Sequence, residues 1–443
     1  MSKGILYSFL TVGAIIASCT SAFAQQSAGT YSSFAPYSAF GIGDLTTPGS
    51  VYNGTMAGVG IANRNTRFIN TVNPAAATVR DSLSVLADFS LSYKHNLISY
   101  DGKHDINDIF NISSIAISLP IYRSLTFTAG IKPYSNVGYK STSYETDQSL
   151  IGLLGDVSYS QYGQGSLYQA YGSLAVDIVK GLSIGAQYNF YFGHIAKAYV
   201  QTFSLSKYNG LSDEIESRIT AHSGKIGIQY EKLIAKKVAV SIGATYQLST
   251  KLNGMTTRYI YPASSESGAI VADTLQLGNM DTRLSLASEK GIGIAVNYLD
   301  KVRAEFDYTR ADWSNSNFDK VEAFAVESAT GNVYTPCLAQ SFRLGVEVTP
   351  NRNDIRYYYK KISYRIGAYY NQEYYKINGN NIASVGLTLG ATLPVFRWHN
   401  GITLGVEIGE RGCFKANLLR ERYFGASVGI NLYDIWFVKH YYE

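Results

Sequence analysis

The most regular feature of the chain is an alternation of apolar and polar residues that begins near residue 83 and recurs to residue 433. In segment 83–94 apolar residues hold the odd positions, while Ser84, Ser90 and Ser92 hold even ones. Segments 382–393 and 400–410 repeat the pattern. A period of two over about ten residues, with one face apolar, is typical of transmembrane β-strands.

Fourteen segments of this kind can be counted along the chain. They fall near residues 83–94, 111–120, 123–133, 167–179, 181–194, 217–231, 236–249, 283–298, 301–312, 339–349, 360–374, 382–393, 400–410 and 421–433. Their length exceeds the roughly 5 to 6 residues of ordinary strands, and their polar faces carry charges beside glycines. We therefore predict an all-β fold, a transmembrane antiparallel β-barrel of about 14 strands, in preference to a soluble β-sandwich or propeller.

The connections between the segments alternate in length. Long ones lie near residues 134–166, 195–216, 250–282 and 313–338, and short ones lie at Ile121-Tyr122, Lys180, Ile234-Ala235 and Leu299-Asp300. Outer-membrane barrels have short periplasmic turns and long outer loops. We therefore expect a barrel of the outer membrane with both termini in the periplasm.

Residues 39–78 lack the alternation and are rich in glycine. The glycines are Gly41, Gly43, Gly49, Gly54, Gly58 and Gly60, and Pro48 and Pro74 interrupt the segment. Glycine permits close backbone approach and unusual dihedral angles, so a segment of this kind folds compactly only inside a container. We predict that residues 25–82 form a plug in the lumen and that residues 83–443 form the barrel.

A motif in this segment resembles the N-terminal hatch of FadL-type outer-membrane barrels. The run MAGVGIA at residues 56–62 is followed by Asn73-Pro74-Ala75. The family includes transporters of long-chain fatty acids and aromatic hydrocarbons, and also the PorV-type subunit of a protein secretion system. The resemblance implies fourteen strands around a hatch that contains Gly58, Gly60, Asn73, Pro74 and Ala75.

Residues 1–24 read as a secretory signal peptide. Lys3 precedes an apolar core, and Ala22-Phe23-Ala24 forms a cleavage site. Lipoprotein processing at Cys19 is an alternative. Cys337 and Cys413 then remain in the mature chain, either as a pair, since the export route is oxidising, or as free thiols.

Composition agrees with a membrane barrel and narrows the partners. Charged residues make up 16% of the chain, against about 25% in soluble proteins, and the 37 Tyr and 41 Gly are both numerous. Apart from the leader there is no apolar run of the length a membrane-spanning helix needs. The formal net charge of +5 is scattered without a basic stripe, so we expect no nucleic-acid partner.

The sequence offers no constellation for catalysis. The six histidines lack the spacing of metal ligands, and no G-x-S-x-G elbow is present. Glu305 and Asp307 share one face of a strand, where pairing with Arg303 or with an arginine of a neighbouring strand is favoured over acid–base chemistry. We predict no enzyme activity, no catalytic residues, no metal site and no cofactor.

Two predicted outer loops contain apolar residues where water is expected. The first group is Leu150, Ile151, Leu153 and Leu154, and the second is Ile270, Val271, Leu275 and Leu277. A contiguous exposed apolar patch marks a binding surface, so these residues are candidates for binding a hydrophobic ligand. Alternatively, the loops fold over the mouth of the barrel and pack on one another.

Gly130 and Pro133 fall at the outer end of the third predicted strand. Proline lacks a ladder donor and glycine loosens a strand, so pairing with a neighbour should break there. The simple alternative is that the strand ends. FadL-type barrels have a kink in this strand, through which hydrophobic ligands are thought to leave laterally into the bilayer.

The resemblance leads to a prediction of function. It implies passive uptake of hydrophobic small molecules, long-chain fatty acids or similar, with lateral release into the membrane. A PorV-type interaction or shuttle subunit of a protein secretion system, or a structural surface barrel, are the alternatives. The expected partners are outer-membrane lipid, a hydrophobic ligand, the outer-membrane assembly machinery that recognises the last strand, and possible secretion-system proteins.

Overall fold

The computed structural model describes most of the chain from residue 35 onward. The described ranges are 35–81, 83–100, 103–122, 124–205, 207–263, 273–279, 283–321, 323–325, 333–395, 400–412 and 418–436. The predicted leader with Cys19 lies outside the described residues, as do Cys413, Ile270 and Val271.

Fourteen long strands form the barrel, which confirms the predicted fold class. They are β1 Ser84–Tyr100, β2 Lys103–Tyr122, β3 Leu125–Tyr144, β4 Val157–Val179, β5 Leu182–Phe203, β6 Gly210–Ala235, β7 Val238–Gln247, β8 Glu289–Tyr298, β9 Val302–Asp312, β10 Leu338–Val348, β11 Ser363–Ile377, β12 Asn380–Pro394, β13 Gly401–Gly412 and β14 Arg420–Ile435. Each strand pairs antiparallel with the next, and β14 pairs antiparallel with β1, so the barrel is closed.

Short elements complete the described part of the chain. Asn253–Ala263 and Asp273–Asn279 pair with each other above β7 and β8, and Asn253–Ala263 also pairs with β6. The remaining elements are strands Asp44–Leu45, Thr250–Lys251, Ser285–Leu286 and Tyr334–Pro336, α-helices α1 Val51–Gly54 and α2 Gln148–Leu154, and 3-10 helices Pro36–Ala39, Pro74–Thr78, Phe318–Lys320 and Tyr358–Lys360. Among the described helices, none has the length and apolarity needed to cross a membrane.

The alternation of side chains matches the two environments of a barrel wall. On β12, Leu387 points outward and is 60% exposed, whereas its neighbour Thr388 points into the lumen and is buried. Outward apolar side chains contact lipid in a transmembrane barrel, while the inner face is polar. The lumen is therefore lined by polar groups that need partners inside the barrel.

Several strands are longer than predicted. β3 continues to Tyr144 and β4 begins at Val157, so most of the predicted outer loop at 134–166 is sheet. β5 and β6 have 22 and 26 residues, more than the 9 to 11 or so that cross a bilayer. Sequence missed these extensions because the alternation of an apolar and a polar face stops there while the ladder of hydrogen bonds continues; in β5, for example, Ile195, Ala196, Lys197 and Ala198 are all buried.

The main hydrophobic core lies inside the barrel. It joins hatch residues such as Phe40 and Ile42 to lumenal side chains of the wall and to residues of the connection after β9, including Trp313 and Phe318. Further along the segment, Ala57, Gly60 and Asn73 form hydrogen bonds with the inner wall. We call residues 35–79, which are held inside the barrel by these contacts, the hatch.

Candidate functional site: a cavity at an open seam of the barrel

Asn73, Pro74 and Ala75 form a turn against the inner wall. The side-chain Nδ2 of Asn73 donates to the carbonyl oxygens of Ile61 and Ile228 at 2.8 and 3.2 Å. The side-chain Oδ1 accepts a hydrogen bond from the Ala75 amide at 3.0 Å, as an N-cap of the 3-10 helix that follows. Asn73 thereby joins two parts of the hatch to β6.

Two glycines of the wall, Gly185 and Gly227, lie opposite this turn. A Cβ atom on Gly185 would lie 2.5 Å from the Ala75 amide nitrogen, and one on Gly227 would lie 2.0 Å from Asn73 Oδ1. Both distances are shorter than any normal van der Waals contact. Glycine at these two wall positions is therefore what lets the Asn-Pro-Ala turn approach the sheet.

Gly60 lies where the hatch meets β9. The amides of Gly60 and Ile61 both donate to Asp307 Oδ2, at 2.7 and 2.9 Å, and Asp307 is buried. Gly58 precedes this contact with a φ of 80°, in the left-handed region that favours glycine. One wall carboxylate thus binds two consecutive hatch amides.

We call the lumen around Arg303, Glu305, Glu347, Arg365 and Tyr52 the inner compartment. Arg365 Nε donates to Glu347 Oε2 at 2.7 Å, and Arg303 Nε lies 3.9 Å from Glu305 Oε1. All four charged side chains are at most 8% exposed. As the sequence suggested, Glu305 lies beside Arg303, while Asp307 binds the hatch instead of an arginine.

Tyr52 is the hatch residue at the centre of the inner compartment. Its hydroxyl accepts hydrogen bonds from Asn65 Nδ2 at 3.0 Å and from Arg303 Nη1 at 3.3 Å, and its ring lies 4.3 Å below the Arg365 guanidinium. Burial, followed by the charge of Glu347, raises the pKa of Tyr52. The phenol therefore stays neutral and can accept hydrogen bonds from the cations around it.

We call the cluster of Phe40, Trp313, Tyr334, Tyr374 and Tyr375 the outer compartment. Phe40 stacks on Tyr334 with 5.7 Å between ring centroids, and Trp313 lies 4.8 Å from Tyr374. The Tyr374 hydroxyl donates to the carbonyl oxygen of Phe40 at 3.0 Å. These five side chains are buried, so aromatic packing fills the mouth of the barrel.

A cavity of about 290 Å³ lies beside the hatch strand Asp44–Leu45. Its lining residues are mixed: Leu45, Val51, Ile109 and Val406 are apolar, Tyr369 and Tyr423 carry hydroxyls, and Lys94, Lys132, Arg343, Glu373, Glu407 and Arg411 are charged. A molecule with an apolar body and a polar end matches a lining of this kind.

The cavity adjoins a break in the barrel wall. β2 and β3 pair from Tyr122–Leu125 up to Ile115–Ile131, and within the described residues their ladder stops there. Above this point β2 remains paired with β1, and β3 remains paired with β4. The wall is therefore open between β2 and β3 in its outer half, and we call this opening the seam.

The hatch covers one edge of the seam. Asp44 and Leu45 pair antiparallel with Asn136 and Ser135 of β3, and the Thr46 amide donates to the Tyr134 carbonyl oxygen at 3.0 Å. Arg411 Nη1 and Nη2 lie 2.6 and 2.9 Å from the two carboxylate oxygens of Asp44, with Glu421 on the same guanidinium. A two-pronged ion pair from β13 thus fixes the hatch strand.

Gly130 and Pro133 flank the last pair of the β2–β3 ladder. A Cβ on Gly130 would lie 2.5 Å from the Ile115 carbonyl oxygen. Pro133 pairs with Tyr168 of β4, and a register shift follows before Ser135. β3 itself continues beyond Pro133, so the simple alternative that the strand ends there is wrong.

A second feature of the seam, which the sequence did not predict, is a β-bulge at Ser113 of β2. Ser113 has no partner in the β1–β2 ladder, because Ser90 pairs with Ser114 and Leu91 pairs with Ile112. This β-bulge reverses which side chains of β2 face outward and lies directly above the last pair with β3. A bulge bends a strand and ends regular pairing, but it leaves little trace in composition.

The first group of predicted ligand-binding loop residues lies apart from the cavity. Leu150, Ile151, Leu153 and Leu154 belong to α2, where no residue is buried and Leu153 is 69% exposed. Leu275 and Leu277 lie on Asp273–Asn279, and Ile270 and Val271 lie outside the described residues. A role for either group in ligand binding stays a prediction.

Among the described residues there is no cluster of three or more groups suited to hold a metal ion. Cys337 is buried as a free thiol, with its Sγ 3.5 Å from the carbonyl oxygen of Glu373.

Comparison with known proteins gives a family model and a set of similar structures. The family model described as BamG matches residues 1–443, and no curated protein matches the chain. The CymD monoaromatic hydrocarbon channel is 13% identical with a TM-score of 0.57, over 88% of this chain and 98% of that one. A Pseudomonas aeruginosa FadL homologue is 12% identical with a TM-score of 0.56, over 89% and 99%.

A third similar structure is the toluene transporter TbuX of Ralstonia pickettii, 14% identical with a TM-score of 0.53 over 87% of this chain and 98% of that one. At these identities the likeness concerns the fold, and it confirms the predicted resemblance to FadL-type outer-membrane barrels at that level. By the match along its whole length, the chain belongs to the BamG family.

Proposed function

We propose that this protein mediates passive uptake of hydrophobic small molecules across the outer membrane and releases them laterally into the bilayer. The observation that carries the proposal is the seam between β2 and β3 with the cavity directly behind it. The solved barrels of the same fold that are named above include a hydrocarbon channel and a toluene transporter. We also propose an orientation in the outer membrane in which both chain termini face the periplasm.

The mixed lining of the cavity supports a ligand with one polar end, such as a long-chain fatty acid. Lys132 and Arg343 offer cationic groups, while Leu45 and Val51 offer apolar surface. An alkyl chain gains about 0.8 kcal/mol for each CH₂ that leaves water for lipid. The seam would let the chain enter the bilayer without crossing the periplasm, and no enzymatic step or cofactor is needed.

The proposal is tested by closing the route at two points. Ser92→Trp adds a large side chain to the cavity lining, and Pro133→Val restores a ladder donor at the seam. Pro394→Val, at the far end of β12, is the matched control. We expect uptake of radiolabelled long-chain fatty acid, by cells lacking their own transporter, to fall in the first two variants alone. Unchanged uptake in both assembled variants would contradict the proposal.

A second candidate is an interaction role, as a shuttle or scaffold for exported proteins. The observation that favours it is the outer compartment, where packed aromatic rings occupy the mouth through which a ligand would enter. Absence of any fatty-acid uptake by the wild-type protein, together with surface presentation of exported proteins that depends on it, would favour this second function.

A further inference from the structure

Strands β3, β4 and β5 continue well above the part of the barrel that faces lipid. On β5 the outward aromatic series ends at Phe192, because the next outward residue is the exposed His194. Tyr199 follows Phe192 by seven residues, which is about 23 Å further along the strand at the usual rise. In the proposed orientation this part of the sheet lies outside the cell, in contact with the medium.

Lys197 identifies the inner face of β5 at this height. Its Nζ donates to the carbonyl oxygen of Ala39 in the hatch at 2.8 Å, so its side chain points into the barrel. Side chains alternate along a strand, so Tyr199 and Gln201 also point inward, above the outer compartment.

Four inward side chains of β4 and β5 alternate between tyrosine and glutamine. In the ladder, Tyr159 lies opposite Gln201, and Gln161 lies opposite Tyr199. The rings of Tyr159 and Tyr199 are nearly parallel, with 6.2 Å between their centroids and 24° between their planes. All four side chains are partly exposed. We call these four residues the upper wall.

The polar groups of the upper wall are available to a ligand. The side chains of Gln161 and Gln201 make no hydrogen bond to another described residue. Ser141 and Ser143 of β3 lie opposite Gln161 and Tyr159, and both serines are exposed. An amide offers two donors and one acceptor oxygen, and a hydroxyl offers both functions. Donors and acceptors therefore stand beside two aromatic rings.

The charged groups next to the upper wall are already engaged. Asp213 of β6 lies opposite Tyr199 and accepts a hydrogen bond from Arg258 Nε at 2.7 Å. The Tyr159 hydroxyl donates to Glu145 Oε2 at 3.1 Å. The surface left for a ligand is thus neutral, with aromatic, amide and hydroxyl groups.

We propose that the upper wall binds a neutral oligosaccharide from the medium. A pyranose ring carries C–H groups on its faces and hydroxyls around its rim, so its faces pack on tyrosine rings while its hydroxyls pair with amides and serines. An alkyl chain would bury the same amides without partners, at a cost. Because the upper wall faces the barrel axis, it is directed toward free saccharides and away from the sugars of surrounding glycolipids.

This inference does not rest on the uptake of hydrophobic molecules. None of the upper-wall residues lines the cavity behind the seam. Failure of fatty-acid uptake would therefore leave saccharide binding to be judged by its own test.

The test is calorimetric titration of the full-length protein, in a detergent without a sugar headgroup, with cellohexaose, xylohexaose and maltohexaose. We expect at least one of them to bind. For that saccharide, Kd should rise about tenfold in Tyr199→Ala and in Gln161→Leu, whereas Tyr199→Phe keeps the ring and should bind like the wild type. The matched control is Tyr144→Ala, which removes a tyrosine that is 71% exposed on the other face of β3.

Unboiled gel mobility verifies that each variant has folded. The proposal would be overturned if none of the hexasaccharides bound, or if purified lipopolysaccharide bound and the free saccharides did not. An unchanged Kd in both Tyr199→Ala and Gln161→Leu, or an equal loss in Tyr144→Ala, would place the saccharide elsewhere and would also contradict it.

Discussion

The two compartments of the lumen hold the same hatch by different physics. In the inner compartment buried ions and hydrogen bonds carry the contact, as in Arg365 with Glu347 at 2.7 Å. In the outer compartment aromatic rings pack against the first residues of the hatch. Polar contacts depend on exact partners, whereas aromatic packing tolerates small changes.

The difference matters because the cavity and the seam lie beside Asp44–Leu45, the short strand that joins the two compartments. In the chain, Asp44–Leu45 follows Phe40 of the outer compartment and precedes α1, whose Tyr52 belongs to the inner compartment. A hatch fixed at both ends leaves this short strand as the part that must move if the passage from the cavity to the seam is to widen. Its ties to the wall are the Arg411 ion pair and the pairing with β3.

The largest expected loss of stability follows from breaking the buried ion pair between Arg365 and Glu347 in the inner compartment. Arg365→Met leaves Glu347 without its nearest cation, which should lower the free energy of unfolding by about 3–5 kcal/mol. Urea unfolding followed by gel mobility measures it. The double variant with Glu347→Gln should recover part of the loss, since it removes the uncompensated charge. A loss below about 1 kcal/mol in the single variant would mean that the inner compartment does not depend on this pair.

A second effect concerns the contact of Asp307 with the hatch. Asp307→Ala removes the acceptor of two amide hydrogen bonds, and a buried donor left unsatisfied costs about 1–3 kcal/mol. Hydrogen exchange at Gly60 and Ile61 should accelerate, while exchange in β12 should not. Asp307→Asn keeps an acceptor oxygen and should show a smaller change. Equal exchange rates at Gly60 and Ile61 in the wild type and both variants would show that contacts other than the one with Asp307 hold this part of the hatch.

A third effect tests the approach of the Asn-Pro-Ala turn to the wall. Gly227→Ala places a methyl group within 2.0 Å of the Asn73 Oδ1 position, and overpacking of this kind costs about 1–3 kcal/mol. Gly172→Ala is the matched control, because its nearest neighbour would be 3.9 Å away. The urea midpoint should fall for the first variant and not for the second. A similar midpoint in both would mean that the turn can shift without cost.

The smallest effect is expected in the outer compartment. Tyr374→Phe removes a hydroxyl bonded to the carbonyl oxygens of Phe40 and Gly43 but keeps the packed ring. The loss should be about 1 kcal/mol, measured by the same urea titration. A loss as large as that of Arg365→Met would remove the distinction between the two compartments.

Much of the fold could be predicted from local sequence. Strict alternation around Leu387 and Thr403 identified membrane strands, because the side-chain period of a strand is a local property. The glycines near Gly58 and Gly60 identified a segment that packs inside a container. The number of strands and their antiparallel order followed from counting.

The seam and its chemistry were decided by tertiary structure. The ion pair between Asp44 and Arg411 joins residues 367 apart, and the Ser113 bulge shows only as a skipped partner in the ladder. β5 and β6 are longer than the predicted segments because the sheet continues past the residues that alternate. Sequence periodicity reports the environment of each residue, whereas register, bulges and contacts across the lumen depend on which distant strands meet.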